Sequence, residues 1–222
     1  MMGDGLRGRL EAVLMQARQR SLVGGLPIPT QIAHSQGFLR ALLLEAVETP
    51  VLELGSGGGL PGLVMALEDQ ELRLVLVDSA RRSVEFLRWA VDELEISERV
   101  DIVHARAEQV GRDPRYREGF AAVLARSFGP PAVTAECAAP LLRVGGRLIV
   151  SEPPAKDPVQ DLALASLPAP DRWPPQGCAE LGLKPELALR DPFGFAVIRQ
   201  VSQCPERFPR RTGIPAKRPL FS

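Results

Sequence analysis

The sequence has no surplus of charge, little cysteine and no asparagine. Its 222 residues carry 27 Lys and Arg against 27 Asp and Glu, so the formal net charge is zero. Balanced charge excludes a surface that coats nucleic acid or membrane as a whole, and a polyanionic partner would have to meet a local basic patch. The cysteines, Cys137, Cys178 and Cys204, are odd in number and far apart. They predict neither a disulfide framework nor a zinc finger, and they fit a reducing compartment.

A long hydrophobic run is also absent. No segment approaches the roughly 20 apolar residues that span a bilayer. The first residues, M-M-G-D-G, lack the basic region and the apolar core of a secretory signal. We therefore expect a cytoplasmic protein that does not contact membranes. A chain of this length buries roughly 70% of its unfolded surface in a single core, so the fold needs no metal and we predict none.

Short apolar runs alternate with helical patterns along the chain. Five runs predict buried strands at residues 50–55, 72–78, 100–104, 121–125 and 147–151. Helices are expected at residues 6–22 and 35–47, after Ser79 as an N-cap, and at 132–142. Residues 153–175 predict a proline-rich loop with one short helix at 159–165, and residues 186–190 and 195–201 predict a hairpin. The sequence thus predicts an α/β fold with a mostly parallel seven-stranded sheet, a closing antiparallel hairpin and N-terminal helices.

A glycine-rich loop follows the first predicted strand. Gly55, Gly57 and Gly59 stand where glycine permits unusual backbone angles and close approach of a ligand. The dinucleotide fingerprint G-x-G-x-x-G/A fails here, because the sixth position counted from Gly55 is Leu60. Asp78 ends the second predicted strand, where a carboxylate can accept hydrogen bonds from both hydroxyls of an adenosine ribose. The combination favours S-adenosylmethionine, with NAD and a tight turn without a ligand as the alternatives.

Several segments together resemble one enzyme family. They are V-L-E-L-G-S-G-G-G-L-P-G at 51–62, L-V-D-S at 76–79, R-S-V-E-F-L-R at 82–88, R-A-E at 106–108, A-R at 125–126 and the tail R-F-P-R-R-T-G-I-P-A-K-R-P-L at 207–220. These segments are similar to the GidB (RsmG) family, bacterial guanine-N7 methyltransferases of 16S ribosomal RNA. The resemblance implies a class I, Rossmann-like methyltransferase that uses S-adenosylmethionine. We expect the chain to divide into an N-terminal helical extension (1–49), a methyltransferase domain (50–202) and a basic tail (203–222).

The resemblance also implies roles for individual residues. Gly55 and Leu60 would line the cofactor, Ala107 and Glu108 would meet its adenine end, and Arg126 would reach the cofactor or the substrate. With the residues already named from the glycine loop and the second strand, the predicted cofactor site is Gly55, Gly57, Gly59, Leu60, Asp78, Ala107, Glu108 and Arg126.

Two regions depart from the family pattern. The N-terminal W-N and N-L-T elements of the family are missing, and only His34-Ser35 resembles its H-x-x-D-S stretch. Ser151-Glu152-Pro153-Pro154 stands where members carry Lys-Gly. These departures leave a methyltransferase of a small molecule or protein as the alternative function, and a non-catalytic nucleotide-binding module as the second alternative.

The chemistry of the predicted reaction needs few residues. Guanine N7 has a free lone pair and no proton at neutral pH, so methyl transfer can depend on positioning and we predict no catalytic acid or base. The sequence A-R-S-F-G-P-P at 125–131 does not match the [N/D/S]-P-P-[Y/F/W] motif of enzymes that methylate exocyclic amines. This mismatch argues against an N6-adenine or N2-guanine acceptor.

The C-terminal tail is a local basic patch of the kind that a polyanionic partner would need, given the zero net charge of the whole chain. From residue 204 onward it carries five cations against the single acid Glu206. Such an arm is typical of phosphate contacts, although terminal cations can also serve solubility alone. The predicted substrate-binding residues are Arg126, Arg207, Arg210, Arg211, Lys217 and Arg218, and the expected partner is ribosomal RNA or the small ribosomal subunit.

Overall fold

The computed structural model describes residues 3–44, 49–153, 165–166, 168–190 and 192–221. The helices in these ranges are α1 (Asp4–Gln19), α2 (Ile28–Leu42), α3 (Gly62–Glu68), α4 (Arg81–Glu93), α5 (Ala107–Val110), α6 (Pro131–Ala138), α7 (Pro175–Ala179) and α8 (Ile214–Lys217), with a 3-10 turn at Ala139–Leu141. The strands are β1 (Val51–Leu54), β2 (Leu74–Asp78), β3 (Val100–His104), β4 (Phe120–Ala125), β5 (Leu142–Glu152), β6 (Ala165–Ser166), β7 (Leu183–Arg190) and β8 (Gly194–Gln200). The short helix predicted at 159–165 lies outside the described residues except for its last position.

One sheet contains all of the strands found in the described ranges. Their order is β3-β2-β1-β4-β5-β8-β7-β6. The first five strands run parallel, and β8 and β7 close the sheet as an antiparallel hairpin. The predicted α/β fold with its parallel sheet and closing hairpin is confirmed. The two-residue β6, which pairs with β7, adds an eighth strand that is too short to produce a pattern in the sequence.

The sheet is covered on both faces, which is why its parallel strands are continuous apolar runs in the sequence. Successive residues of each strand point to opposite faces. Val51, for example, lies in the core cluster that includes the first four helices, whereas Leu52 lies in the cluster that includes α5 to α7. The three cysteines are buried free thiols, and burial raises the pKa of Cys178 to about 11.

The N-terminal helices pack on one face of the sheet. The buried side chains of α1 are Leu10, Val13, Leu14 and Ala17, at the spacing of a single helical stripe. Helix α2 begins at Ile28, seven residues before the predicted start, so the prediction was wrong there. Proline in the first turn of a helix costs no hydrogen bond, and the G-G-L-P-I-P sequence therefore leads into the helix instead of extending the loop.

The carboxyl ends of β1, β2 and β4 meet at one edge of the sheet. Strand β1 lies between β2 and β4. After β1 the chain first forms β2 and β3 on one side of it and then β4 on the other side. Open α/β sheets bind ligands in the crevice at such a switch point. Gly55, Asp78 and Arg126 all stand at these strand ends. Among the described residues, the search for a helix of membrane-spanning length and hydropathy finds none.

Candidate active site

The glycine loop turns sharply at the end of β1. Gly55, Gly57 and Gly59 have φ angles of 67°, 52° and 83°, in the left-handed region that side chains disfavour. A Cβ at Gly55 would also lie 2.8 Å from the Phe128 ring. Backbone angle and space therefore both require glycine at this position. Gly59 is buried and faces Leu63, so it shapes the loop from inside.

Asp78 fastens this loop to the start of the next helix. Its Oδ2 accepts a hydrogen bond from the Gly57 backbone N–H at 2.8 Å, and its Oδ1 accepts one from the Ala80 N–H at 2.8 Å. The N-cap of α4 is Ala80, so the predicted Ser79 cap was wrong. The Ala80 N–H donates its hydrogen bond to the Asp78 side chain. A carboxylate has about four acceptor sites, so two remain for a ligand.

Glu53 holds the same loop from the core side. Its side chain is buried in β1, and its Oε2 accepts a hydrogen bond from the Gly62 N–H at 2.8 Å, at the start of α3. Burial raises the pKa of this carboxyl to about 8, against the opposing effects of that hydrogen bond and of Arg126. A charged residue inside an otherwise apolar strand was the sequence signal for this contact.

The first of two adjacent cavities lies at the ends of β1, β2 and β3. This glycine-loop cavity measures about 350 Å³, and its lining includes Gly55, Asp78, Ala107, Glu108, Phe128 and Gly213. Glu108 Oε1 accepts a hydrogen bond from the Gly213 N–H at 2.8 Å. The C-terminal tail therefore forms one wall of this cavity.

The second and larger cavity lies beyond β4. This arginine cavity measures about 710 Å³, and its lining includes His34, Arg126, Ser127, Phe128, Trp173 and Phe193. Ser127 and Phe128 line both cavities, so the two spaces meet at the end of β4.

Arg126 places a buried cation in the arginine cavity. One terminal nitrogen donates a hydrogen bond to Gln31 Oε1 at 3.1 Å, and the other is buried without a partner among the described residues. Gln31 is itself held by its amide, which donates to the backbone carbonyls of Gly24 and Leu26. Burial lowers the pKa of Arg126, and Glu53 opposes this shift. A buried guanidinium with unused donors favours a carboxylate or phosphate ligand.

His34 contributes an aromatic wall to the arginine cavity. Its ring lies edge-on to Phe193 at 4.8 Å between centroids and is stacked near Phe195 at 5.4 Å. Burial, together with the Arg126 charge, lowers its pKa to about 4. The imidazole is therefore neutral at pH 7.

Glu152 organises another part of the arginine cavity lining. Its carboxylate accepts a hydrogen bond from Trp173 Nε1 at 2.8 Å and forms an ion pair with Arg172 Nε at 2.5 Å. The Glu152 side chain is 6% exposed, so the pair is largely shielded from water on the acidic side. Ser151, Glu152 and Pro153, the first three residues of the S-E-P-P departure from the family pattern, all line the arginine cavity.

The basic tail divides into an anchored cation and four exposed ones. Arg210 forms a bidentate pair with Glu136, at 2.6 and 2.9 Å, and its backbone N–H also donates to that carboxylate at 2.8 Å. Glu136 is fully buried, so the Arg210 guanidinium is committed to the fold and is not available to a phosphate. Arg117 fixes the same segment through the backbone carbonyls of Cys204 and Phe208. The exposed cations are Arg207, Arg211, Lys217 and Arg218.

The structure brings part of the predicted site together. Gly55, Asp78, Ala107 and Glu108 line the glycine-loop cavity, and Arg126 lines the arginine cavity. The Leu60 side chain is instead packed in the core. Residues that sequence reasoning did not place in the site are Gln31, Phe128, Glu152, Arg172, Trp173 and Phe193. Within the described ranges, the search for metal-binding groups of at least three His, Cys, Asp or Glu residues finds none.

Comparison with known proteins connects this geometry to a family. A family model described as rRNA small subunit methyltransferase G (GidB) matches residues 37–153. The ribosomal RNA small subunit methyltransferase G of Rubrobacter xylanophilus is 34% identical over 214 residues, which cover 94% of this chain and 81% of the relative. The protein of the same name from Roseiflexus castenholzii is 36% identical over 177 residues, covering 78% of this chain and 73% of the relative.

A solved structure shares the fold. The O-methyltransferase from Bacillus cereus, determined in complex with SAH, superposes with a TM-score of 0.59 over 86% of this chain and 90% of its own, at 19% sequence identity. The predicted class I, Rossmann-like methyltransferase fold is thus confirmed.

Proposed function

Because the chain belongs to the GidB family of ribosomal RNA small subunit methyltransferases, we propose that it transfers a methyl group from S-adenosylmethionine to guanine N7 of 16S ribosomal RNA. The observation that carries the proposal is the pair of cavities that meet at Ser127 and Phe128. The glycine-loop cavity has the glycine and the carboxylate that are typical of a nucleoside site. The arginine cavity has the Arg126 guanidinium and aromatic side chains in its walls. The cofactor supplies a methyl group on a sulfonium, and the junction is where cofactor and acceptor would meet.

The glycine-loop cavity fits the nucleoside half of the cofactor. Asp78 has acceptor sites left for ribose hydroxyls after bonding the two backbone N–H groups. Gly55 leaves space that a Cβ would fill. Ala107 and Glu108 also line this cavity, and we assign the adenine to them. Gly57 and Gly59 shape the loop behind these contacts, and Leu60 supports it from the core.

Arg126 fits the anionic end of the cofactor. Its terminal nitrogen without a protein partner is a buried donor, and a buried unsatisfied donor costs about 1 to 3 kcal/mol. A carboxylate in the cavity would remove that cost and form a charge-assisted hydrogen bond. We therefore assign Arg126 to the methionine carboxylate of the cofactor. Arg126 lines the arginine cavity, so this end of the cofactor would lie next to the acceptor.

The arginine cavity fits a nucleobase acceptor. Single-stranded RNA bases are recognised by stacking on aromatic side chains, and the rings of His34 and Phe193 line this space. Guanine N7 presents a lone pair without a proton, so the residues only have to align it with the methyl group. Positioning of this kind supplies roughly 7 to 11 kcal/mol of a reaction barrier. The neutral His34 fits a wall better than a proton acceptor, because its pKa is depressed to about 4.

The exposed cations of the tail are proposed to contact RNA phosphates. Arg207, Arg211, Lys217 and Arg218 are exposed, whereas Arg210 is paired with a buried carboxylate. Each phosphate contact contributes roughly 0.7 to 0.9 to the slope of log affinity against log salt. Charge reversal of Arg211 and Lys217 should therefore flatten the salt dependence of RNA binding by about 1.4 to 1.8. An unchanged slope would make the tail a solubility feature.

Two measurements test the proposal as a whole. Calorimetry should show S-adenosylmethionine binding at micromolar level, about −8 kcal/mol, with no comparable binding of NAD. Labelled methyl groups should then pass to unmethylated 16S ribosomal RNA, supplied either free or in the small subunit. Tighter binding of NAD would contradict the cofactor assignment. Methyl transfer to protein or small molecules, with none to RNA, would contradict the substrate assignment.

A further inference from the structure

We propose that a small slot beside the arginine cavity binds a second nucleobase, that of a nucleotide next to the methylated one. The inference rests on the proposed methylation of RNA and extends it to substrate recognition. This tail slot measures about 240 Å³, and its walls include Pro131, Val133, Asp171, Arg172, Pro219 and Phe221.

The tail slot adjoins both cavities of the site. Pro131 and Arg172 line both the slot and the arginine cavity, so the two spaces are neighbours at these residues. Val133 and Ala216 line the slot and the glycine-loop cavity. A nucleotide adjacent to one whose base occupies the arginine cavity would reach the slot along the RNA backbone.

The walls of the tail slot have the chemistry of a base-binding site. The Phe221 side chain packs against Gly177 and also lines the slot. The Arg172 guanidinium is fixed by its ion pair with the shielded Glu152 carboxylate. Splayed RNA bases stack on aromatic rings and on arginine planes. Asp171 adds a hydrogen-bond acceptor, which favours a base with an exocyclic amino group over uracil.

The charges around the slot favour a nucleotide over an apolar peptide. Ala216 and Pro219 line the slot, and the exposed cations Lys217 and Arg218 lie between them in the chain. An apolar peptide segment would have no use for these cations, whereas a nucleotide brings a phosphate with its base. The occupant that fits both features is a single-stranded RNA nucleotide.

Kinetics of matched variants test the inference. Phe221→Leu keeps an apolar contact with Gly177 but removes the aromatic face, and Arg172→Gln removes the guanidinium plane. Each should lower kcat/KM for ribosomal RNA about 5- to 140-fold, which corresponds to roughly 1 to 3 kcal/mol of base stacking. Affinity for S-adenosylmethionine should change less than about twofold in Phe221→Leu, because Phe221 lines the slot and is not in the lining of either site cavity. Arg115→Gln is the control, because Arg115 also pairs with an acid, Asp113, but lines none of the three cavities.

Crosslinking gives a second readout, which reports the position of the bound RNA and not its rate of methylation. The benzophenone substitution Phe221→p-benzoylphenylalanine should crosslink to a nucleotide directly adjacent to the methylated guanine. Changing that nucleotide to uracil in a transcript should slow methylation by the wild type and have little further effect in Asp171→Ala, which lacks the proposed acceptor.

The outcomes separate the two claims. RNA methylation by the wild type with unaltered kinetics in both slot variants, or a crosslink far from the methylated guanine, would overturn the slot assignment and leave the proposed function standing. A wild type that methylates no RNA would overturn both.

Discussion

Replacing Asp78 with alanine tests the cofactor site at the residue that supports it most. The carboxylate accepts hydrogen bonds from the Gly57 and Ala80 N–H groups, each at 2.8 Å. Hydrogen bonds to charged groups contribute about 1.5 to 3 kcal/mol each. Gly57, Asp78 and Ala80 are only half-buried, so water can replace part of the lost hydrogen bonding. The free energy of unfolding should therefore fall by about 1 to 3 kcal/mol in total.

Asp78→Ala should also weaken cofactor binding by the folded protein, in addition to its effect on the free energy of unfolding. Loss of the proposed ribose contact removes about 1.5 to 3 kcal/mol, a 12- to 140-fold increase in Kd. Calorimetry with S-adenosylhomocysteine and urea unfolding of the same variant measure the two effects separately. Asp101→Ala is the control, because Asp101 is an exposed aspartate on the neighbouring strand β3. A destabilised Asp78→Ala protein with wild-type cofactor affinity would refute the ribose contact and leave Asp78 as a structural tie.

Three further predictions follow from buried contacts of the site and the tail. Since the pKa of Glu53 is raised from 4.5 to about 8, the wild type should lose stability as pH rises through that range, by up to about 1.4 kcal/mol per pH unit, and Glu53→Gln should remove this slope in urea titrations. Arg210→Ala leaves the fully buried Glu136 unpaired and should cost about 3 to 5 kcal/mol in thermal unfolding, whereas Arg211→Ala should cost less than about 0.5; equal losses would contradict the anchor. Gln31→Ala releases the guanidinium it holds and should weaken cofactor binding about 5- to 30-fold by calorimetry, and unchanged affinity would show that the orientation is set elsewhere.

The fold was largely predictable because its signals are local. Strands buried on both faces are continuous apolar runs, and the glycines after β1 stand at left-handed positions that few other residues tolerate. The errors are also local in origin. Proline near the start of α2 resembled a loop although it fits the first helical turn, and Ser79 resembled a cap although Asp78 bonds the free N–H.

The site was only partly predictable because its decisive contacts join distant residues. Arg210 and Glu136 are 74 residues apart, and Arg126 and Gln31 are 95 apart. A basic tail predicts phosphate contacts from charge alone, and nothing in that pattern distinguishes the cation that pairs with a buried carboxylate from its exposed neighbours. The same holds for Glu152, whose pairing with Arg172 became visible only when β5 and the segment before α7 were seen side by side.

Nucleoside mass spectrometry tests the central claim most directly. Unmethylated 16S ribosomal RNA, free or in the small subunit, is incubated with the protein and S-adenosylmethionine and then digested to nucleosides. The account predicts the appearance of 7-methylguanosine, at a single position when the RNA is mapped, and less of it when Asp78→Ala replaces the wild type at a limiting S-adenosylmethionine concentration. Methylation of another base or of an exocyclic amine, or RNA without any new methyl group, would contradict it.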